Sequence, residues 1–482
     1  MRIAIEARPV EQTEADAVII PVFEDTPESR FGAPELTASG EITGKALELT
    51  LLHHPPGMKA ARVLLAGAGK RAAFDSAAMR KLTGAAVRLL KAKGIKNVVV
   101  APPEGCTDIE YTSAAVEGAI LGDFENDRYQ TANNKKNIES FAVAGTAHGM
   151  AEAAERGRVL AESQNLARTL VNEPANRLPP SGIAKTAQEM AAEFGLEYEA
   201  LDRAAMEKLG MGSLLGVAQG SAEPPFLIVL RYRPAVASSP SHLGLVGKGV
   251  TFDTGGISIK PADGMEKMKY DMAGGAAMIG AMRAIAQLKP SIAVSAFVPC
   301  VENMPGSRAQ RPGDIVTAMS GKTVEVINTD AEGRLILADA ITYARRQGCT
   351  HLVDSATLTG AVVVALGHLN VGLFANNDAM RDRVLTAAKA EGERMWVMPL
   401  EDDYKEYLKS AFADIANVGG RWGGAVTAAI FLREFSEDTP WVHLDIAGTA
   451  WLDENKPHMA KGPTGLPVRT LVRLAMEWKE TA

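Results

Sequence analysis

Three segments of the sequence place carboxylates and cations directly after short apolar runs. Their candidate residues are Lys248, Asp253, Lys260, Asp271, Asp330, Glu332 and Arg334. Short apolar runs are typical of buried strands, and open α/β sheets bind ligands at the carboxyl ends of their strands. We therefore expect these side chains to form one site.

Carboxylates without histidine or thiolate favour hard or borderline divalent ions. Oxygen ligands suit Mg²⁺ and Mn²⁺, and Zn²⁺ accepts carboxylates as well. Asp253, Asp271, Asp330 and Glu332 are enough to hold two ions that share ligands. Two ions about 3.5–4 Å apart can activate a water between them and polarise a carbonyl or phosphoryl oxygen.

The cationic side chains have their own expected roles. Metal cations beside Lys248 and Lys260 would lower the lysine pKa; a neutral lysine can ligate a metal, and a charged one can stabilise an oxyanion. Arg334 falls in the first turn of a predicted helix, where a cation opposes the helix dipole. An anion bound there would explain it. Gly333 costs helix stability, which a close approach of the backbone to the site would explain.

Each segment also has a purely local interpretation. Asp253 could belong to a turn with the glycines that follow it, and Asp271 could cap the next helix. Thr329 to Glu332 fits a capping box, with Thr329 at the N-cap and Glu332 at N3. The capping box leaves Arg334 unexplained.

Several familiar catalytic motifs are missing from the sequence. It has no HExxH and no GxSxG, and Val316 stands where a P-loop ending in Gly321-Lys322-Thr323 needs its first glycine. Gly67 to Ala72 matches GxGxxA after a strand, but it lacks the acidic residue about twenty positions later that a dinucleotide site needs.

The elements that must position these residues alternate between strand and helix. Apolar runs predict strands at 17–22, 62–66, 97–101, 141–145, 225–232, 243–246, 292–297, 323–327 and 351–354. Helical spacing of apolar residues predicts helices at 78–93, 150–171, 276–288 and 335–346. This alternation indicates an α/β fold with helices covering sheets.

The helical run from Met150 marks the predicted domain boundary. It ends at Asn172-Glu173-Pro174, and a proline after a periodic run stops a helix. We predict a smaller N-terminal α/β domain over 1–149 and a connecting helix over 150–172. A larger α/β catalytic domain with a mixed sheet flanked by helices would follow over 173–482. A surface helix within one domain is the alternative.

Composition is ordinary for a globular protein. The 482 residues are 46% hydrophobic and 23% charged, with a net charge of −7. This acidity argues against nucleic-acid binding through bulk charge. Three scattered cysteines favour a reducing compartment, and no segment predicts a signal peptide or membrane span. We expect a cytoplasmic protein that does not bind membranes.

The candidate segments closely resemble the leucine aminopeptidase family, the two-metal cytosolic aminopeptidases. The resemblance rests on Asn328–Leu335, which looks like the family signature, and on Lys248–Lys260, Met268–Asp271, Asp354–Ala361, Ala413–Asn417 and Gly462–Gly465. The α/β pattern of the first part suits the smaller N-terminal domain of that family.

The resemblance implies a set of metal ligands. Asp253 and Glu332 would bridge two divalent ions, and Asp330 would complete one metal site. Lys248 and Asp271 would complete the other. The ions would be Mn²⁺ or Zn²⁺, with Mg²⁺ and Co²⁺ as further options. The resemblance also implies a homohexamer, built as a dimer of trimers.

The resemblance further implies catalytic and substrate-binding residues. Lys260 and Arg334 would form a catalytic pair, with a bicarbonate at Arg334 acting as the general base. Lys260 would also contact the substrate. The Leu358 N–H would hold the substrate carbonyl, and Met268 would line the pocket for the first side chain.

We therefore predict a metal-dependent aminopeptidase that removes the N-terminal residue, leucine or another amino acid, from peptides with a free N-terminus. Two alternatives stay open. One is a two-metal phosphoesterase, because lysine and arginine suit phosphate. The other is an assembly or nucleic-acid-binding protein on the same scaffold, because a fold does not fix a function; the acidity of the chain weakens it.

Overall fold

The computed structural model describes residues 1–26, 33–106, 108–131, 136–237 and 239–479. The chain divides into two compact units, residues 1–165 with 453–462 and residues 166–452 with 463–482. Each unit combines helices with a sheet, which confirms the predicted α/β class. The domain boundaries predicted at 149 and 172 stay a prediction.

The first unit is built around a largely parallel sheet. Its strands are β1 (Arg2–Glu6), β2 (Ala17–Phe23), β3 (Leu49–His53), β4 (Arg62–Gly69), β5 (Asn97–Val100) and β6 (Ser140–Ala144). Its helices are α1 (Ala33–Ala38), α2 (Ser76–Ala92) and α3 (Ile109–Asp123), and α4 (Met150–Asn172) begins in this unit. The strand order is β1-β6-β5-β2-β4-β3, with β3 antiparallel to β4. All residues of β2 are buried, as expected for a strand covered on both faces.

The Gly67–Ala72 motif serves the fold of this unit. Gly67 and Gly69 lie inside β4, and a Cβ at Gly67 would stand 1.9 Å from the Lys45 carbonyl oxygen. A short 3₁₀ helix, Arg71–Ala73, follows in place of the long helix whose N-terminus binds a pyrophosphate. Gly67 therefore lets two backbones pass closely, which is a structural role for this motif.

The second unit is built around a mixed sheet. Its strands are β7 (Glu197–Leu201), β8 (Phe226–Tyr232), β9 (His242–Gly247), β10 (Gly249–Asp253), β11 (Ala293–Asn303), β12 (Asp314–Thr317), β13 (Thr323–Val326), β14 (His351–Ala356), β15 (Val371–Ala375), β16 (Met395–Val397), β17 (Ile415–Ala416), β18 (Trp441–Asp445) and β19 (Trp451–Leu452); β20 (Gly462–Pro463) straddles the unit boundary. The main order is β16-β15-β18-β14-β9-β11-β8-β7, with β10 also paired to β11. The inner strands run parallel, whereas β15–β18, β11–β8 and β8–β7 are antiparallel.

Helices flank this sheet, as predicted. They are α5 (Pro180–Phe194), α6 (Arg203–Lys208), α7 (Gly212–Ala218), α8 (Ala273–Leu288), α9 (Glu332–Arg346), α10 (Gly360–Leu366), α11 (Asp378–Glu391), α12 (Gly424–Ser436) and α13 (Val468–Met476). Both α8 and α9 pack on the central strands β9 and β11. A smaller sheet, β12-β13-β17, leads the chain into α9.

The parallel pairing brings the ends of three inner strands together. Ser355 of β14 pairs with Gly247 of β9, and Ala356 pairs with Asp445 of β18. The segments that leave these strands therefore emerge at one edge of the sheet. This edge carries the candidate chemistry.

Helix length and the state of the cysteines complete the description of the fold. Across the described ranges, no helix has both the length and the apolar character needed to cross a membrane. The three cysteines of the chain, Cys106, Cys300 and Cys349, are buried free thiols.

A buried carboxylate fixes α9 against α7 and against the loop between β12 and β13. Asp339 is fully buried; its Oδ2 accepts the Leu214 N–H at 2.8 Å and its Oδ1 accepts the Met319 N–H at 2.7 Å. Burial raises the pKa of Asp339 to about 7, although these hydrogen bonds act in the opposite direction. Between pH 4 and 7 the native state therefore binds a proton that the unfolded chain releases.

We expect this carboxyl group to make stability fall as the pH rises towards 7. Because the native state binds more protons in that range, the free energy of unfolding decreases by about 2–3 kcal/mol from pH 5 to pH 8. Asp339→Asn should abolish this component, and Asp403→Asn, an exposed control, should retain it. Urea unfolding at the two pH values measures the difference. Equal pH dependence in wild type and Asp339→Asn would contradict the prediction.

Candidate active site

Seven of the nine predicted site residues line one cavity of about 340 Å³ in the second unit, and Glu332 and Arg334 are not part of its lining. Its lining includes the predicted metal and catalytic residues Lys248, Asp253, Lys260, Asp271 and Asp330. The predicted substrate contacts Met268 and Leu358 line it as well. Glu332 stands behind this lining, with its Oε1 2.7 Å from Lys248 Nζ.

Three carboxylates form the tightest group. One oxygen each of Asp253, Asp330 and Glu332 lies within 4.8 Å of the others. Asp253 ends β10, Asp330 lies in the loop before α9, and Glu332 is the first residue of α9. Asp253 and Glu332 are only 2% and 1% exposed. Buried like charges at this spacing need positive charge beside them.

A β-bulge in β10 sets the direction in which the Asp253 side chain points. Val250 pairs with Val301 and Phe252 pairs with Glu302, so the intervening Thr251 has no partner of its own. An extra residue of this kind shifts the alternation of side chains along a strand. It places Asp253 opposite Asn303, whose Nδ2 donates to Asp253 Oδ1 at 2.8 Å.

Two lysines supply positive charge. Lys248 Nζ lies 2.9 Å from Asp271 Oδ2 and 2.7 Å from Glu332 Oε1, and it donates to the Thr357 carbonyl at 3.0 Å. Lys260 Nζ lies 2.7 Å from Asp253 Oδ2 and also contacts Asp330. Each lysine therefore joins two of the four carboxylates.

The pKa shifts of the lysines differ from the sequence expectation. Burial alone would lower the pKa of Lys248, but Asp271, Glu332 and Asp253 outweigh it and raise the pKa. Lys260 behaves in the same way, chiefly through Asp253. The expectation of lowered values counted metal cations as neighbours, whereas the carboxylates of the chain act in the opposite direction.

The carboxylates are shifted towards their neutral forms. Burial is the main cause that raises the pKa of Asp271, Glu332 and Asp330, and the neighbouring lysines only partly offset it. Further positive charge in this group would therefore be favoured. For this reason the carboxylate oxygens of the site suit a divalent cation as their ligand partner.

Two oxygens provide a direct test of that fit. Asp271 Oδ2 and Glu332 Oε1 are buried and accept no hydrogen bond within the described residues. Lys248 Nζ is close to both, but its contacts lack hydrogen-bond geometry. Oxygens that keep their lone pairs in a buried group of carboxylates suit metal ligation.

Gly333 confirms the predicted close approach of backbone to the site. A Cβ at this position would lie 2.8 Å from Cδ, Cε and Nζ of Lys248. Only glycine therefore leaves room for the lysine that joins Asp271 to Glu332.

Arg334 lies in the first turn of α9, as predicted, and it is buried. Its Nη1 donates to the Asn417 carbonyl at 2.7 Å, whereas the buried Nε finds no acceptor within the described residues. Burial lowers the pKa of Arg334 to about 10, opposed by Glu332 and Asp445. An unpaired donor on a buried cation fits an anion as its ligand.

The structure decides between the local alternatives. α9 begins at Glu332 after an Ala331 N-cap, and Thr329 Oγ1 instead donates to the Gly255 carbonyl, so the capping box is wrong. Asp271 is not an N-cap, because that position of α8 belongs to Met272. Asp253 does take part in a local turn, since its Oδ1 accepts the Gly255 N–H at 2.9 Å.

Several supporting residues were not singled out from the sequence. Asn303 ends β11, which is longer than the predicted strand at 292–297, and its Nδ2 also donates to the Thr329 carbonyl at 3.0 Å. Asn417 Oδ1 accepts the Ile327 N–H at 2.8 Å, and its Nδ2 donates to the Asn328 carbonyl at 2.7 Å. A polar residue that closes an apolar run was the available signal for Asn303.

The expected substrate contacts lie on two walls of the cavity. Met268 belongs to a 3₁₀ helix, Met265–Met272, and is half-buried beside the cavity. The Leu358 N–H, expected to hold a substrate carbonyl, donates to Asp445 Oδ1 at 3.1 Å. Asp445, which the sequence analysis did not name, therefore competes for that donor.

The mixed sheet brings these carboxylates, lysines and an arginine together at one edge. This combination of fold and site is that of a metal-dependent hydrolase. Comparison with known proteins specifies the family. Residues 165–472 match the catalytic domain of the cytosol aminopeptidase family, and residues 33–133 match its N-terminal domain.

Relatives match along nearly the whole chain. A probable cytosol aminopeptidase of Solibacter usitatus is 75% identical over 99% of this chain and 100% of its own length. One of Koribacter versatilis is 50% identical, over 92% and 91%. A mutant tomato leucine aminopeptidase has a TM-score of 0.89 at 35% identity, covering 99% of this chain and 96% of its own. The bottromycin maturation enzyme BotP in complex with Mn has a TM-score of 0.87 at 34% identity, over 96% and 99%.

The chain belongs to the cytosol aminopeptidase family. It is a metal-dependent aminopeptidase that acts on peptides. The comparisons give no support to the phosphoesterase or nucleic-acid-binding alternatives.

Gly333→Ala should separate helix stability from site geometry. Alanine favours a helix by about 1 kcal/mol over glycine, but its Cβ would displace Lys248. We expect retained thermal stability with a clear loss of bound metal and activity. Metal analysis by mass spectrometry and a thermal melt measure both. Gly182→Ala, also in the first turn of a helix, is the control and should keep its metal; full metal content in Gly333→Ala would contradict the prediction.

Proposed function

We propose that the chain holds two divalent ions per subunit and uses them to hydrolyse the N-terminal peptide bond. The grouping of Asp253, Asp330 and Glu332 oxygens within 4.8 Å carries this proposal. Asp253 and Glu332 bridge the ions and Asp330 completes one site. Asp271 and Lys248 complete the other, with Lys248 in its neutral amine form after the metal cations have displaced its proton. Bound there, the ions would lower the pKa of a water and polarise the scissile carbonyl.

Lys260 is the proposed electrostatic catalyst. Its Nζ lies at the cavity wall, 2.7 Å from Asp253 Oδ2, on a side chain that is only partly exposed. A fixed ammonium in a poorly solvated site stabilises negative charge that develops on a carbonyl oxygen. The carboxylates beside it raise the pKa of Lys260 and favour its charged form.

Arg334 is the proposed anchor of a bicarbonate ion. The buried Nε donor, which has no acceptor among the described residues, supports this role. A bicarbonate held there would accept a proton as the general base, while the Asn417 carbonyl fixes the guanidinium orientation through Nη1. The arginine itself keeps its proton throughout.

The apolar part of the cavity is the proposed pocket for the first side chain. It is lined by Met268, Val363, Ala447 and Leu358. An aliphatic side chain such as leucine would replace water against these residues. Mn²⁺ and Zn²⁺ are the proposed ions, with Mg²⁺ and Co²⁺ as alternatives that the oxygen-rich ligand set also accepts.

Assembly, compartment and domain roles complete the proposal. A homohexamer is supported by exposed apolar side chains of the second unit, including Val364 at 91% exposure and Trp396 on the edge strand β16 at 60%. Sedimentation should then give six times the chain mass of 51.1 kDa.

Three free cysteines and relatives named cytosol aminopeptidases support a cytoplasmic location. We assign 1–149 to an N-terminal domain, 150–172 to a connecting helix and 173–482 to the catalytic domain.

Peptide hydrolysis should require a free N-terminus and a metal. The purified protein with Mn²⁺ should release leucine from Leu-Gly-Gly and leave acetyl-Leu-Gly-Gly and p-nitrophenyl phosphate intact. Chelation should abolish the reaction, and added Mn²⁺ should restore it. Product analysis by liquid chromatography measures each case. Turnover of the acetylated peptide at a similar rate, or activity that survives chelation, would refute the proposal.

Lys260→Ala and Asp253→Ala should fail in different ways. Loss of the Lys260 ammonium should reduce kcat by about 10²–10³-fold, the range for one oxyanion-stabilising donor, with metal content nearly unchanged. Asp253→Ala should instead lose metal, because it removes a proposed bridging ligand. Metal content and steady-state kinetics on leucyl-p-nitroanilide distinguish the two. Retention of both ions by Asp253→Ala would show that the ligand assignment is wrong.

A further inference from the structure

One loop forms a wall of the cavity and touches both halves of the site. It runs from Thr357 to Thr359, between β14 and α10, and all three of its residues line the cavity. Thr357 faces the metal side: its carbonyl accepts Lys248 Nζ at 3.0 Å and its Oγ1 donates to Asp271 Oδ1 at 2.7 Å. The position of this loop therefore affects both the charged and the apolar parts of the site.

A single carboxylate holds the other end of this loop. Asp445 Oδ1 accepts the Leu358 N–H at 3.1 Å, and Asp445 Oδ2 accepts the Thr359 hydroxyl at 2.7 Å. Oδ1 also accepts the Ala447 N–H at 3.2 Å. Leu358, Thr359 and Ala447 all line the cavity, whereas Asp445 is buried behind them.

The strand under Asp445 gives it a rigid base. Asp445 ends β18, paired with Ala356 of β14. Two residues earlier, the buried His443 places Nδ1 2.6 Å from Asp354 Oδ1. Asp354 Oδ2 in turn accepts Trp441 Nε1 at 2.6 Å, so β14 and β18 are joined by side chains as well as backbone.

Thr359 also links Asp445 to the first turn of α10. Besides donating to Asp445, its Oγ1 accepts the Val362 N–H at 3.0 Å and so caps α10. Val363, one residue beyond, lines the cavity. A shift of Thr359 would therefore move a further apolar side chain of the pocket.

We propose that Asp445 is a positioning residue that sets the width of the pocket for the first side chain of the substrate. The proposal rests on the proposed function, in which this cavity receives that side chain. Asp445 does not touch the substrate; it acts through Leu358, Thr359 and Ala447. Its loss would let the wall relax and would weaken contacts with a large side chain more than with a small one.

Steady-state kinetics of leucyl- and alanyl-p-nitroanilide test this with the Mn²⁺-loaded full-length enzyme. In Asp445→Ala we expect KM for the leucyl substrate to rise by about tenfold, as for the loss of hydrogen bonds that hold a binding group. KM for the alanyl substrate and the metal content should change little. Asp445→Asn keeps an oxygen for the two N–H groups, so its leucyl KM should stay within about threefold of wild type.

Asp339→Asn is the matched control. Asp339 is also a buried carboxylate that accepts two backbone N–H groups, but the groups belong to Leu214 and Met319, which do not line this cavity. Its substitution should lower stability and leave both KM values unchanged. If Asp445→Ala does not fold, Asp445→Glu provides the test, since a longer side chain should push Leu358 and Thr359 inward and raise the leucyl KM selectively.

The outcomes separate this proposal from the proposed function. A wild-type enzyme without aminopeptidase activity would refute the function itself. With active wild type, the positioning role is overturned if the leucyl KM of Asp445→Ala, or of Asp445→Glu where the alanine variant does not fold, is unchanged or rises by the same factor as the alanyl KM. It is equally overturned if Asp339→Asn reproduces the selective rise.

Discussion

The central constraint on this protein is a set of buried carboxylates that repel each other. Asp253, Asp271 and Glu332 are almost fully removed from water, where an unpaired negative charge is very costly. Lys248 and Lys260 offset part of that cost, yet burial still raises the pKa of Asp271 and Glu332. A site that is incompletely neutralised by its own lysines has a built-in affinity for cations. The fold of the second unit has to hold these carboxylates together although the lysines neutralise them only in part.

The fold brings the charged residues together because the ends of several strands converge at one edge of the sheet. Parallel pairing of β9, β14 and β18 brings Lys248, the Thr357–Thr359 loop and Asp445 to one edge. α9 begins at the same place, so Glu332 and Arg334 enter the site from its first turn. Behind this edge, the buried His443 places Nδ1 2.6 Å from Asp354 Oδ1. Burial alone would lower the pKa of His443, but Asp354 outweighs it and raises the pKa.

Sequence patterns predicted several of the elements that are buried on both faces, although the fully buried β18 was missed. β2 and α9 are examples, because continuous apolar runs and 3.6-residue periodicity survive burial. β1 and β3 were not recognised, since their residues are partly exposed and mix polar with apolar types. The expectation that the site residues converge followed from their positions at strand ends. The family resemblance implied the role of each residue. Asp445 was out of reach because its role depends on contacts between residues far apart in the chain. For Asn303 the available signal was its position at the end of an apolar run.

The bulge at Thr251 has a consequence for how this gene can vary. Exchange of one side chain for another that fits its surroundings leaves the register between β10 and β11 intact. A codon gained or lost in β10 would rotate Asp253 to the opposite face of the strand, because successive residues point in opposite directions. Insertions and deletions should therefore be absent from this stretch in functional descendants, even where substitutions accumulate.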